Sequence, residues 1–133
     1  MMKRIKTVDI GRFGEDVAIN FLKKNRYKII ARNLHISHNE IDAIATLKKQ
    51  KIIVFVEIKA RSVEKDLYSP FGTPASAVTK EKQQRTLSAA RGFLKENVKF
   101  YDFQPRFDVV EVYLSKEDMQ VIKVNHIENA FSV

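Results

Sequence analysis

The segment Ile52–Lys59, with the sequence IIVFVEIK, contains the longest apolar run of the chain. Because Ile52–Val56 is apolar throughout, both faces of a strand formed here are expected to be covered, as is typical of a central strand. Glu57 and Lys59 follow, and they share a face because alternate residues of a strand point to the same side. Charged side chains are rarely buried deeply unless they are paired or bind a metal ion. The segment therefore predicts the central strand of a sheet, with a candidate site at its end.

Hydrophobic spacing predicts further helices and strands on both sides of this segment. The predicted elements are a helix at Asp9–Asn25, strands at Tyr27–Leu34, Asn39–Thr46 and Lys51–Arg61, a helix at Ala75–Val98, and strands at Arg106–Leu114 and Met119–Val124. Asp9 is the expected N-cap of the first helix, and Val98 is expected in the buried row of the second. The second and third strands should form a hairpin, and Ser69–Pro74 an irregular loop. The order α-β-β-β-α-β-β predicts a single α/β domain over residues 1–133, with its core at about residues 9–125.

Charge and composition limit the function classes. The chain has 133 residues, a formal net charge of +8 and no cysteine. A basic balance favours phosphate-rich partners such as nucleic acid, because neutralising phosphates releases condensed counterions. Without cysteine there are no disulfides, cysteine nucleophiles or thiolate zinc sites. We expect a cytoplasmic protein that does not cross a membrane, since no secretory h-region follows the basic start and the longest apolar run is far too short to span a bilayer.

A second acidic segment precedes the central strand. Asn39–Asp42 lies in the predicted hairpin partner, which can bring Asp42 alongside Glu57. Two carboxylates of this kind can hold Mg²⁺ or Mn²⁺, with help from waters and a backbone carbonyl such as that of Ile58. Lys59 can then orient an attacking water or stabilise charge in the transition state, and Glu15 on the first helix can supply a further contact. The pattern suits hydrolysis of a phosphodiester bond.

Plainer interpretations of the same residues remain open. Glu57 and Lys59 can form a structural ion pair, with Asp42 as a turn residue, and Glu40 can be a metal ligand or a solvated edge residue. Arg106 and Asp108 are expected to pair with each other. The chain's three histidines show no metal-binding spacing, and each is expected to be a polar surface residue; they are His35, His38 and His126. Candidate contacts to nucleic acid can equally belong to a solvated face; they are Arg61, Lys82, Gln83 and Arg85.

Several separate segments form a recognisable set in their order and spacing. They are Gly11–Ala18, Ala31–Asn33, Asn39–Asp42, Val54–Arg61, Phe71–Pro74, Ala77–Thr79, Lys82–Gln83 and Arg106–Val110. Together they resemble the YraN family of bacterial proteins. This family looks like a distant relative of archaeal Holliday-junction resolvases within the PD-(D/E)XK nucleases. The resemblance implies a restriction-endonuclease-like three-layer core, with a central mixed sheet flanked by two main helices. It also implies an active site at Glu15, Asp42, Glu57 and Lys59, although Ile41 stands where the superfamily's proline would precede Asp42.

Three functional hypotheses follow. The first is a Mg²⁺-dependent endonuclease that acts on nucleic acid, DNA rather than RNA, with branched DNA as a candidate substrate. Cutting two strands would call for a homodimer. The second is a binding module that keeps the fold and the basic face without catalysis. The third is a protein-interaction scaffold. Metal binding and salt-sensitive binding of nucleic acid distinguish them.

Overall fold

The computed structural model describes residues 7–64 and 78–132. The elements in chain order are α1 (Thr7–Lys24), β1 (Lys28–Ile36), β2 (Asn39–Leu47), β3 (Ile52–Val63), α2 (Lys80–Glu96), a 3₁₀ helix (Val98–Phe100), β4 (Gln104–Ser115) and β5 (Val121–Phe131). The predicted order α-β-β-β-α-β-β is confirmed, and the short 3₁₀ turn is an addition to it. The predicted loop Ser69–Pro74 and residues 75–77 of the second predicted helix lie outside the described residues.

The strands form one mixed sheet in which β3 is central, as the apolar run predicts. The strand order is β1-β2-β3-β4-β5. β1, β2 and β3 are joined as antiparallel neighbours, β4 and β5 are also antiparallel, and β3 pairs with β4 in parallel. A parallel pair needs a crossover connection, and α2 lies in the connection from β3 to β4. The predicted hairpin of β2 and β3 is thus confirmed, and the sheet is mixed because a helix follows β3.

The two helices cover opposite faces of the sheet, which confirms the three-layer arrangement. Val54 and Val56 of β3 pack in the cluster that contains the buried side chains of α1. Ile53 and Phe55, on the other face, pack with Leu87 and other residues of α2. Burial on both faces explains why this strand has no polar residue before Glu57. Neither helix is long and apolar enough to cross a membrane, within the part of the chain that the structure describes.

Several predicted ends need correction, each for a local reason. α1 begins at Thr7, so Asp9 lies inside the helix and does not cap it. α2 begins at Lys80, not Ala75, because the hydroxyl of Thr79 accepts the N–H of Lys82 at 3.2 Å and caps the helix. It ends at Glu96, and Val98, which was predicted to be buried, is 73% exposed in the following 3₁₀ turn.

The last strand is longer than its sequence pattern predicts. It continues from Val121 to Phe131, whereas the prediction ended at Val124. Residues 125–130 contain asparagine, histidine and glutamate, which weaken the hydrophobic alternation that defines a strand in sequence. Backbone pairing with β4 nevertheless extends to Phe107↔Phe131, across an irregularity opposite Asp108.

The first testable prediction concerns the packing of α1 on β3. A Cβ added at Gly14 would overlap the Cβ of Ala60, whereas one added at Gly11 would meet nothing within 4 Å. We expect Gly14→Ala to lower the free energy of unfolding by about 2 to 3 kcal/mol, because the helix must move away from the sheet. Gly11→Ala is the matched control and should raise it by up to about 1 kcal/mol, since alanine favours the helix. Urea denaturation of both variants checks this, and equal effects would contradict the close approach.

Candidate functional site

The candidate site lies where β2 and β3 stop pairing. The last paired residues are Ala43 and Val56. One residue before Ala43, the Oδ2 atom of Asp42 accepts the backbone N–H of Ile58 at 2.8 Å. The side chain of Asp42 therefore takes over as hydrogen-bond acceptor where backbone pairing has ended. This contact fixes the Asp42 carboxylate beside β3, just past the point where the pairing of β3 with β2 ends.

Asp42 and Glu57 lie on one narrow cleft, as predicted. We call it the carboxylate cleft; it is lined by Glu40, Ile41, Asp42, Val56, Glu57, Lys82 and Thr86. Its volume is about 10 Å³, which is about the space that one water molecule needs. The cleft joins β2, β3 and the first turns of α2, so all three elements determine its shape. Its size suits a single small cation or water.

The environment of Asp42 opposes a negative charge. The pKa of Asp42 is raised from 3.8 to about 6. Burial is the largest cause, the hydrogen bond from the Ile58 N–H acts against it, and the nearby carboxylate of Glu57 adds to the rise. Lys82 lowers this pKa and Glu40 raises it. Without a cation in the cleft, an ionised Asp42 therefore costs free energy.

Glu57 has one paired and one unpaired oxygen. Its Oε1 atom lies 3.3 Å from the Nζ atom of Lys82, and its side chain is 15% exposed. Its Oε2 atom is buried and has no hydrogen-bond partner. Across residues 7–64 and 78–132, the only other buried side-chain nitrogen or oxygen without such a partner is Oε1 of Glu15. Buried polar atoms are nearly always hydrogen-bonded, so these two are exceptions. Both belong to predicted site residues.

Glu15 lies on a different pocket from Asp42 and Glu57. Its Oε1 atom forms an ion pair with the guanidinium of Arg32 at 3.9 Å, and Arg32 contacts Asp16 more closely, at 2.9 Å. The pocket is lined by Gly11, Arg12, Glu15, Asp16, Arg32 and Asn33. The side chain of Glu15 is 26% exposed, so it is partly buried on α1. Its role in catalysis stays a prediction.

Three further predicted residues follow on β3. Lys59 is partly buried and lies in register with Glu111 of β4, and Arg61 is exposed and in register with Tyr113. Neither lines the carboxylate cleft. Ile58 contributes its N–H to Asp42, and its carbonyl as a metal ligand stays a prediction.

The predicted nucleic-acid contacts on α2 divide into two kinds. The amide of Gln83 donates to the backbone oxygen of Val78 at 2.8 Å, which ties it to the start of the helix. Lys82 and Arg85, in contrast, line a polar groove beside the carboxylate cleft. Sequence spacing did not anticipate that Lys82 would be the ion-pair partner of Glu57, because the two residues are 25 positions apart.

A buried polar cluster lies on the α1 side of the sheet. The predicted pair is confirmed: Arg106 donates to both carboxylate oxygens of Asp108, at 2.9 and 2.8 Å. His126 Nε2 lies 2.7 Å from Asp108 Oδ2, and its side chain is only 10% exposed, so the prediction of a surface histidine is wrong here. The backbone N–H of Asn129 also donates to Asp108, at 3.0 Å, and Tyr27 accepts from Arg106 at 2.6 Å. The pairing of β4 with β5 brings His126 and Asn129 to Asp108, whereas Tyr27 reaches Arg106 from the residue before β1.

The cluster determines the ionisation of Asp108. Burial alone would raise the pKa of Asp108, but hydrogen bonds from His126, Arg106 and the Asn129 N–H outweigh it and hold this pKa below its ordinary value. Asn129 has a positive φ of 52° and lies at the irregularity of β5. Asp108 therefore accepts a donor that the irregular strand leaves without a ladder partner.

Across the described ranges 7–64 and 78–132, no three histidine or acidic side chains are grouped so as to hold a metal ion. A cation at Asp42 and Glu57 would therefore take its remaining ligands from water, from a substrate or from a backbone carbonyl such as the one predicted at Ile58. Mg²⁺ is bound in this way at many phosphate-processing sites.

Comparison with known proteins places the chain in a family. A model described as the uncharacterised protein family UPF0102 matches residues 14–112. The chain belongs to UPF0102, the YraN family. A UPF0102 protein of Caldanaerobacter subterraneus subsp. tengcongensis is 42% identical over 130 residues, covering 98% of this chain and 100% of the relative. A UPF0102 protein of Clostridium perfringens is 38% identical over 124 residues, covering 93% and 94%.

A third UPF0102 protein, from Caldicellulosiruptor saccharolyticus, is 40% identical over 123 residues, covering 92% of this chain and 97% of the relative. The matched region of the family includes Glu15, Asp42, Glu57 and Lys59. The names of these UPF0102 relatives state no activity. The family is thus established, and the function must be argued from the site.

Proposed function

We propose that this UPF0102 protein binds a divalent cation, Mg²⁺ or Mn²⁺, between Asp42 and Glu57, and hydrolyses phosphodiester bonds in nucleic acid, DNA rather than RNA. The observation that carries the proposal is the Oε2 atom of Glu57, which is buried without a partner on a cleft that Asp42 also lines. An unpaired buried carboxylate oxygen costs free energy, which a cation would recover.

The donor set fits such a cation. Carboxylate oxygens are the ligands that Mg²⁺ and Mn²⁺ prefer, and the described site offers no thiolate and no grouped histidines. Two carboxylates on a cleft of about 10 Å³ leave room for a single ion. A cation would also relieve the repulsion between Asp42 and Glu57, which helps to raise the pKa of Asp42.

The chain's own residues have separable roles in this proposal. When bound, the cation would supply Lewis-acid polarisation of the phosphate and lower the pKa of an attacking water. Asp42 is held in place by the Ile58 N–H and orients one ligand oxygen. Lys82 neutralises Glu57 in the cation-free state, and its ammonium becomes available to the phosphate once Glu57 has another partner. Lys59, two positions beyond Glu57 on the same strand face, is the proposed group for orienting water or stabilising charge.

The role of Lys82 gives a second testable prediction. We expect Lys82→Ala to tighten Mn²⁺ binding by about 2- to 5-fold, because a positive charge no longer competes for Glu57. The Lys82 side chain is 42% exposed, so solvent screening keeps the effect small. Lys95→Ala removes an exposed lysine from the last turn of the same helix and is the matched control. Isothermal titration checks both, and weaker Mn²⁺ binding by Lys82→Ala would contradict the competition.

A cleavage assay tests the proposal as a whole. Single-stranded, duplex and four-way-junction DNA, with an RNA control, would be incubated with Mg²⁺, Mn²⁺ or EDTA. We expect cleavage that needs a metal and is abolished by Asp42→Asn and by Glu57→Gln, while circular dichroism shows that both variants stay folded. Cleavage that both variants retain would remove the proposal.

One observation favours the second hypothesis, a binding module without catalysis. Among the described residues no three acidic or histidine side chains are grouped so as to hold a metal ion, while the chain carries a net charge of +8. On that hypothesis the protein binds nucleic acid with a steep salt dependence and cleaves nothing with any divalent metal. The same assay, with binding measured in parallel, separates the two functions.

A further inference from the structure

A polar groove adjoins the carboxylate cleft on the side of the β1–β2 hairpin. We call it the hairpin groove; it is lined by His38, Asn39, Glu40, Lys82, Arg85 and Thr86. Its volume is about 210 Å³. Drug-sized ligands occupy pockets of about 300 to 1,000 Å³, so the groove suits a smaller unit, such as one phosphate with its sugar.

The lining groups favour an anion. Lys82 and Arg85 carry positive charge, and the side chains of His38 and Asn39 can donate hydrogen bonds. Glu40 is the one acidic side chain among the six lining residues. Lys82 and Arg85 also lie in the first two turns of α2, where the helix dipole favours negative charge near the N-terminus. Two cations and two further donors around one space match a phosphodiester.

The groove and the cleft share part of their walls. Glu40, Lys82 and Thr86 line both. A phosphate bound through a cation at Asp42 and Glu57 would therefore have the hairpin groove as its immediate neighbour.

We propose that the hairpin groove is a subsite for the phosphate–sugar unit next to the bond that is cut, with Arg85 and His38 as its binding residues. The subsite rests on the proposed function for its neighbour, but its own binding chemistry does not require a bound cation. Arg85 contacts the phosphate with its guanidinium, which suits phosphate geometry better than a lysine does. His38 lines the groove from the turn between β1 and β2.

Matched variants test the subsite. A single-stranded deoxyoligonucleotide of about twelve nucleotides, labelled with fluorescein, would be titrated with protein in EDTA and followed by anisotropy. We expect Arg85→Ala to weaken binding by about 10-fold. The negative slope of log K against log salt should become shallower by about 0.7, because one phosphate contact is lost. Arg91→Ala removes an exposed arginine of the same helix that lies outside the groove, and should change binding by less than about 2-fold.

The hairpin side has its own pair of variants. His38→Ala is expected to weaken binding by about 3-fold, and His35→Ala, an exposed histidine outside the groove, should leave it unchanged. Glu40→Gln should tighten binding by about 3-fold, because it removes the acidic group that faces the phosphate. Weaker binding by Glu40→Gln would overturn the anion subsite.

The outcomes separate this inference from the proposed function. If Arg85→Ala and Arg91→Ala weaken binding equally, or if no oligonucleotide binds, the subsite is wrong even where a cation binds at Glu57. If Arg85→Ala weakens oligonucleotide binding and Arg91→Ala does not, while Glu57 binds no cation, the subsite stands and the proposed catalysis fails.

Discussion

Asp108→Ala is expected to lower the free energy of unfolding by about 3 to 5 kcal/mol, which is the usual cost of breaking a buried ion pair from one side. The side chain of Asp108 is fully buried and accepts from Arg106, His126 and the Asn129 N–H. Its removal leaves a mostly buried guanidinium without its carboxylate and the irregular part of β5 without an acceptor. Urea denaturation measures the loss.

An exposed ion pair provides the control for Asp108. Asp16→Ala breaks the pair with Arg32, whose two side chains are 39% and 54% exposed, and should cost less than about 1 kcal/mol. Asp108→Asn keeps the side-chain volume, so we expect it to lower the free energy of unfolding by less than Asp108→Ala does. It replaces Asp108→Ala in the measurement if the alanine variant does not fold. A loss below about 1 kcal/mol for Asp108→Ala would contradict the assigned role of the cluster.

Asp42→Asn should have the opposite effect and raise the stability of the metal-free protein. The pKa of Asp42 is raised from 3.8 to about 6 by burial and by Glu57. At about pH 8 this difference corresponds to at most about 3 kcal/mol of cost for keeping Asp42 ionised, so we expect a gain of about 1 to 3 kcal/mol. An asparagine oxygen can still accept the Ile58 N–H, so the hydrogen bond is kept.

The gain should depend on pH in a defined direction. A folded-state pKa above the unfolded value means that the native protein binds more protons between about pH 4 and pH 6, so its stability falls as pH rises through that range. Asp42→Asn should therefore remove this fall, and its gain should vanish below about pH 4, where Asp42 is protonated in both states. Below that range both proteins should lose stability, because the lowered pKa of Asp108 contributes stability only while Asp108 is ionised.

Asp102→Asn is the control, because the pKa of Asp102 is shifted in the opposite direction to that of Asp42. A hydrogen bond from Lys51 lowers the pKa of Asp102, so its neutralisation should not stabilise the protein. Thermal unfolding in EDTA at several pH values measures all three proteins. An Asp42→Asn variant that is less stable than the wild type at about pH 8 would contradict the free-energy cost that we assign to an ionised Asp42 beside Glu57.

The fold could be predicted from local patterns where burial is regular. The apolar run of Ile52–Val56 indicated a central strand, and the structure has β3 in the middle of the sheet. Element ends were predicted less well, since they depend on single contacts such as the Thr79 cap. The predicted fifth strand ended too early, at Val124, because the residues of β5 that follow include His126 and Asn129, which alternation alone does not mark as strand residues. His126 pairs with Val110 of β4, whereas Asn129 lies at the irregularity.

The candidate site was predictable only in part, for a related physical reason. Asp42 and Glu57 are brought together by a hairpin, which is a local connection, and the structure places both on one cleft. Lys82 reaches Glu57 only through the packing of α2 on the sheet, which spacing does not encode. His126 needs the pairing of β4 with β5 to reach Asp108, so nothing in its own neighbourhood of sequence distinguishes it from a surface histidine.

The central claim is that Glu57 and Asp42 share a cation, and titration of Mn²⁺ into the wild type and into Glu57→Gln tests it most directly. We predict that the wild type binds one equivalent and that Glu57→Gln binds at least about 10-fold more weakly, because a neutral amide replaces the oxygen that lacks a partner. Asp102→Asn, with an exposed carboxylate outside the cleft, should bind like the wild type. Equal Mn²⁺ affinity in the wild type and in Glu57→Gln would contradict the account.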